Sequence, residues 1–130
     1  VFPIIICALD QKTRLAAFEQ PELHIHPAVQ VELADLFIDQ IKDGNKMFLI
    51  ETHSEHLMLR LLRRIEDKHL NNMGEEKHLF DHGKLAVYWS SNDNDGQVIT
   101  LLPADITGEF TRRWPKGFFE ERAEELFAND

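Results

Sequence analysis

Apolar and polar residues fall in blocks along the first half of the chain. Val1 to Asp10 reads VFPIIICALD, a near-continuous apolar run. Pro3 is tolerated in a first helical turn, so the run predicts a buried helix in preference to a strand. Gln11 to Arg14 is a short polar connection. Leu15 to Phe18 predicts a strand buried on both faces, as parallel sheets require. Pro27 suits the first position of a helix. Val29, Leu33, Leu36, Phe37 and Ile41 follow at helical spacing, with Glu32, Asp35, Asp39 and Lys42 on the other side. Asp43-Gly44-Asn45 is a helix stop. Met47 to Ile50 predicts a second short buried strand, ending at Glu51. After Thr52-His53-Ser54, a second helix is predicted from Glu55 to Leu70, with Leu57, Leu61, Leu62 and Ile65 as its apolar stripe. Arg60, Arg63 and Arg64 make one side basic; the neighbouring Glu66 and Asp67 favour a solvated face, with contact to DNA or a partner's phosphates as the other reading.

The second half has a different rhythm. Asn71 to Gly83 is polar and predicts a loop. Lys84 to Ser90 and Gln97 to Leu102 predict the two strands of a hairpin, joined by Asn92-Asp93-Asn94-Asp95-Gly96. Trp114-Pro115-Lys116-Gly117-Phe118-Phe119 precedes a short acidic helix predicted near Glu120 to Phe127. The order strand, helix, strand, helix, hairpin is an α/β pattern with a parallel core pair.

Bulk composition narrows this picture. At 130 residues, 43% apolar and 28% charged, the chain suits one globular domain. No apolar run approaches the roughly 20 residues that span a bilayer, so no membrane partner is expected. The single cysteine, Cys7, excludes an internal disulfide and agrees with a cytoplasmic location; its apolar surroundings mark it as a core residue. The net charge of −9 argues against a broad nucleic-acid-binding face on this piece. Val1 in place of Met, with the apolar opening, predicts that the chain is a fragment.

In open α/β sheets, sites gather at the carboxyl ends of strands. Two predicted strands end in polar clusters, Glu19-Gln20-Pro21-Glu22 and Glu51-Thr52-His53-Ser54. One helical crossover separates them, which places Glu19 and His53 on the same sheet edge. A carboxylate at a strand tip can help hold magnesium, and the next polar side chain can orient or deprotonate a water attacking a phosphate. A histidine at the neighbouring tip can hydrogen-bond a terminal phosphate.

These segments resemble a known family. LAAFEQPELHIHP is similar to the Walker B and D-loop segment of ABC-type ATPases, and FLIETHSEH to their switch-histidine strand and loop. The spellings resemble most the SMC, RecF and OLD-nuclease branch, and WPKGFFEERAEELF resembles a C-terminal extension in one bacterial family of such ATPases. The resemblance implies a P-loop NTPase fold of the AAA and ABC type, of which this chain is the C-terminal lobe. Residues 1–72 would be ATPase core and residues 73–130 a hairpin and extension packed on it. It implies that Glu19 stands at the magnesium-associated acid and Gln20 at the usual catalytic glutamate. Glu22, Leu23, His24, Ile25 and His26 would form the D-loop, and His53 would be the switch histidine near the γ-phosphate. ATP and Mg are the implied cofactors. The implied partner is a second copy of the full-length protein, with DNA or an effector protein as a further one, in DNA handling or phage defence.

Two departures from the family pattern bear on turnover. Glu19 replaces an aspartate and is longer by one methylene. Gln20 cannot act as a general base, although it can orient water; slow turnover is expected, with Glu22 as another route for the proton. The chain contains neither GxxxxGK[ST] nor an LSGG-type segment. In the family both precede the Walker B strand, so this piece alone should hold ATP poorly.

Other readings of the same residues stay open. In one, the Gln20 site is degenerate and the domain is a nucleotide-gated or structural interaction module. His24 and His26, with His53 and His56, would suffice in number for zinc, although their spacing matches no compact zinc motif. Ser54 fits a helix N-cap. Trp114, Phe118 and Phe119 fit either a docking patch or packing against the hairpin.

Overall fold

The computed structural model describes residues 2–70, 78–93 and 96–112. The expected features at Trp114 to Phe119 and Glu120 to Phe127 lie outside the described residues, as does Asn71 to Lys77 of the expected loop. The element order is helix α1 (Phe2–Leu9), strand β1 (Leu15–Glu19), helix α2 (Pro27–Ile41), strand β2 (Met47–Glu51), helix α3 (Glu55–His69), and strands β3 (Val87–Asp93) and β4 (Gly96–Leu102). The fold is α/β, with β1 and β2 parallel and β3 and β4 an antiparallel hairpin. Among the described residues no helix is long and apolar enough to cross a membrane.

Local chemistry sets the boundaries of α2 and α3. Pro27 occupies the first turn of α2, where its missing N–H costs nothing. His26 caps that helix, its Nδ1 accepting from the Ala28 N–H at 3.2 Å. Gly44, at φ 69°, lets the chain turn back after α2 towards β2. Ser54 caps α3 by accepting from the Leu57 N–H at 3.0 Å. Glu55 in the first turn of α3 and Lys68 and His69 in the last complement the helix dipole.

The core lies between α2, α3 and one face of the β1–β2 pair. Leu33, Phe37 and Ile38 of α2 meet Leu57, Leu61, Leu62 and Ile65 of α3, all buried. The Phe37 ring stacks on Phe18 of β1 at 5.6 Å between centroids and lies 4.9 Å from Phe48 of β2. Fully burying side chains of this size contributes about 2–3 kcal/mol each before conformational entropy is counted. The other face of the pair is open. Leu15 and Met47 face each other in register and are each more than 60% exposed; the next outward pair, Ala17 and Leu49, is exposed as well. The expectation of strands buried on both faces is therefore corrected, because helices cover only the Ala16–Phe18 side. The burial expected of the first helix is corrected likewise. α1 forms, but only Ala8 is buried, while Phe2, Ile6 and Leu9 are exposed.

The basic side of α3 also differs from expectation. Arg64 and Asp35 are each about 5% exposed in their side chains. Arg64 donates to Asp35 through Nε at 2.9 Å and Nη2 at 3.1 Å, and Arg60 donates to the same carboxylate at 2.7 Å through Nη2. Only Arg63 belongs to a solvated face, paired with Glu66 and Asp67. Sequence spacing underestimates how close α2 comes to α3, which places Asp35 against the arginine row.

The second half is pinned to α3. The hairpin starts at Val87 rather than Lys84, because the Asp81 carboxylate accepts from the Gly83 N–H at 3.0 Å and holds His82–Lys84 in a 3-10 turn. Its ladder runs further than expected, pairing Asn92 with Gln97 and Asp93 with Gly96. After β4, Asp105 Oδ1 accepts from the N–H groups of Thr107 and Glu109 and closes a tight loop. Gly108 in that loop has φ +80°, and a Cβ there would stand 2.3 Å from the Leu62 carbonyl oxygen. Gly108→Ala is expected to destabilise the fold by about 2 kcal/mol or more, since both the backbone conformation and the helix it touches resist the change. Chemical denaturation of the two proteins measures this directly.

Candidate functional site

The carboxyl ends of β1 and β2 carry the candidate chemistry. Glu19 and Glu51 are register partners across the parallel pair. Both are exposed and lie on the open face of the sheet. The Glu19, Gln20 and His53 side chains make no hydrogen bond or ion pair with other described residues, which leaves all three available to a ligand. Glu51 was not singled out from the sequence. The sequence places the two strand tips on one edge, but only the register sets Glu51 opposite Glu19.

The backbone continues in order past the strand tips. The Gln20 N–H donates to the Glu51 carbonyl at 2.7 Å, extending the ladder by one rung. Gln20 then takes φ 44°, and its carbonyl accepts from the Leu23 N–H at 3.0 Å. His24 takes φ 62°. Positive φ is uncommon outside glycine, and each instance costs on the order of 1–3 kcal/mol unless its surroundings hold it. Two within five residues define a tightly specified turn between β1 and α2, anchored by the fully buried Pro21.

The two loops are joined by side chains. Glu22 Oε1 accepts from the backbone N–H of His53 at 2.9 Å. Its other oxygen, Oε2, is buried without a hydrogen-bond partner among the described residues. Gln30 on α2 adds a second link: its Oε1 accepts from the Ser54 hydroxyl at 2.6 Å, and its Nε2 donates to the Ile25 carbonyl at 3.0 Å. The Ser54 N–H in turn donates to Thr52 Oγ1 at 3.0 Å. Sequence reasoning missed Gln30. A polar residue on the inward side of α2 was the available signal.

The sequence-derived residues divide clearly. Glu19, Gln20 and His53 belong to adjacent strand tips on one edge. Glu22 faces the neighbouring loop, with one carboxylate oxygen bonded there and the other buried. His26 is engaged as the α2 cap, while His24 and Leu23 are exposed. Among the described residues no group of three or more His, Cys, Asp or Glu side chains is arranged to hold a metal ion. An apolar cavity of about 280 Å³ between α2, β2 and Phe80 shares no residue with the Glu19, Gln20 and His53 set.

The comparison with protein families falls on this part of the chain. A family model described as AAA ATPase domain matches residues 1–58. That match supports an AAA-type ATPase family. The AAA ATPase match runs from α1 to the first turn of α3 and so takes in both strand tips and both loops. No curated protein and no solved structure matches the chain.

Proposed function

We propose that this chain is the C-terminal lobe of a magnesium-dependent ATPase of the ABC, SMC and RecF-like branch. The observation that carries the reading is the joining, at one edge of a parallel β–α–β unit, of the Glu19–Gln20 tip and the Thr52–His53–Ser54 loop. The AAA ATPase match over the same residues supports it. The open apolar face of β1 and β2 supports the view that further core elements complete the sheet, since parallel pairs are stable when both faces are covered.

In this reading Glu19, with Glu51 in register beside it, helps hold the cation. The fit is reasonable, because magnesium is often bound by one or two carboxylates plus phosphate oxygens and water. The ion would neutralise charge on the transferring phosphoryl group. Gln20 orients the attacking water through its amide, held by a backbone fixed on both sides. His53 hydrogen-bonds the terminal phosphate. Glu22 to His26 form the D-loop. The full-length protein works as a homodimer in the cytoplasm, with ATP bound mainly by the half that carries the phosphate loop, and acts on DNA or an effector protein in DNA handling or phage defence.

Gln20 favours a second reading, because an amide accepts no proton at neutral pH. A site that cannot deprotonate water suits a nucleotide-gated or structural module. Steady-state ATP hydrolysis by the full-length protein separates the two. Slow turnover is expected, with His53→Ala lowering it about 100-fold or more, the scale of a lost contact to transition-state charge. Gln20→Glu is expected to raise it by supplying a base. No hydrolysis by wild type, with none gained in Gln20→Glu, would favour the module.

A further inference from the structure

We propose that Glu22 is a positioning residue: its carboxylate holds the His53 backbone, so that the loop after β1 and the loop after β2 behave as one rigid unit. The inference rests on the ATPase reading for its catalytic consequence, although the brace itself is a matter of geometry.

Three observations carry it. First, the Glu22 Oε1 bond to the His53 N–H joins residues far apart in sequence and crosses directly between the two β–α loops. A bond from a carboxylate to a backbone N–H is charge-assisted and stronger than a neutral one. Second, the Glu22 side chain is not presented for chemistry. One oxygen is engaged and the other is buried. Third, the turn that delivers Glu22 keeps positive φ at Gln20 and His24, a conformation that persists only where the surroundings hold it, and Pro21 in the core is part of that hold. Glu22 is thus fixed relative to Gln20, and His53 is fixed relative to Glu22. The Gln30–Ser54 bond repeats the link one residue further along and ties both loops to α2.

The consequence is geometric. A water oriented by Gln20 and a phosphate contacted by His53 must keep a set distance for in-line attack, and a displacement of about 1 Å can cost roughly 100-fold in rate. Without Glu22 the His53 N–H loses its bond to the loop after β1, and the link between the two loops passes through Ser54 and Gln30 on α2. Both residues reach the ligand, but Glu22 sets their separation.

The test uses the full-length protein and its ATP hydrolysis, with Glu22→Ala, Glu22→Gln and His53→Ala alone and in combination. Glu22→Ala is expected to lower kcat by roughly 10- to 100-fold while changing the KM for ATP by less than about threefold. Glu22→Gln keeps an acceptor oxygen without the charge assistance and is expected to recover part of that loss. In a His53→Ala background, Glu22→Ala should add less than about twofold, because a residue acting through His53 has nothing left to position. In parallel, hydrogen exchange of the His53 amide is followed in protein labelled at histidine. Its protection should fall at least about tenfold in Glu22→Ala and persist in Glu22→Gln.

Multiplicative effects of the two alanine variants would overturn the proposal. So would equal damage by Glu22→Gln and Glu22→Ala, which would mean that the charge itself acts. If neither the wild type nor Gln20→Glu hydrolyses ATP, the ATPase reading fails, and the exchange measurement alone decides the brace. Lost protection in Glu22→Ala then upholds it, and unchanged protection overturns it.

Discussion

Glu19→Ala in the full-length protein is expected to reduce ATP hydrolysis roughly 100-fold or more, the scale seen when a preorganised charge-stabilising group is removed. The same substitution should leave thermal stability nearly unchanged. Glu19 is exposed and pairs with none of the described side chains, and surface changes of that kind usually fall within about 0.5 kcal/mol. Its register partner is another carboxylate, Glu51, so removing one negative charge also relieves a repulsion. That separation between activity and stability is the discriminating feature. Adding magnesium should recover little activity in the alanine variant and more in Glu19→Asp, which keeps the charge. Full activity in Glu19→Ala would place the chemistry elsewhere.

The second large effect is structural. Asp35→Ala is expected to destabilise the fold by about 3 kcal/mol, because it removes the carboxylate that pairs the buried Arg64 guanidinium and accepts from Arg60 through both Nε and Nη2. The lower end of the range for broken buried pairs is chosen because Arg64 also reaches Asp67 at 3.1 Å. A shift in Tm on the order of 10 °C would follow. Replacing Asp35, Arg60 and Arg64 together with apolar residues of similar volume should recover much of the loss. The pair also has a pH signature. Burial alone would raise the Asp35 pKa, but hydrogen bonds from Arg64 and Arg60 outweigh it and hold the carboxyl below its ordinary value of 3.8. A depressed acid contributes stability in full above its unfolded pKa and loses it as pH falls through the folded value. The difference between wild type and Asp35→Ala should therefore be constant near neutrality and shrink below about pH 4. Urea unfolding across that range measures both quantities.

The elements of the first half were legible because each carries its own punctuation. Pro27 and Gly44 bracket α2, Ser54 opens α3, and short apolar runs between polar turns gave both strands nearly to the residue. Burial was less legible. An apolar run records what a segment can bury, not what stands opposite it, so α1 and the outer faces of Leu15 and Met47 were expected inside. The Asp35 cluster was hidden for the complementary reason: charges at helical spacing look alike whether they face water or a neighbouring helix. At the candidate site, residue types and their order pointed to Glu19, Gln20 and His53. The Glu51 register, the Glu22 bond and the Gln30 link needed three dimensions, because each joins positions that only folding brings together.

The open side of the parallel pair has a practical consequence. Leu15, Met47 and Leu49 form an exposed apolar strip, with Phe2 and Ile6 of α1 also bare. Exposed apolar faces of this kind recruit other chains. Produced in isolation, residues 1–130 would tend to self-associate into inclusion bodies. Solubility tags or charged substitutions at Leu15 and Leu49 would improve recovery. Those positions lie across the sheet from the core, so their side chains can be exchanged without disturbing Phe18, Phe37 or Phe48.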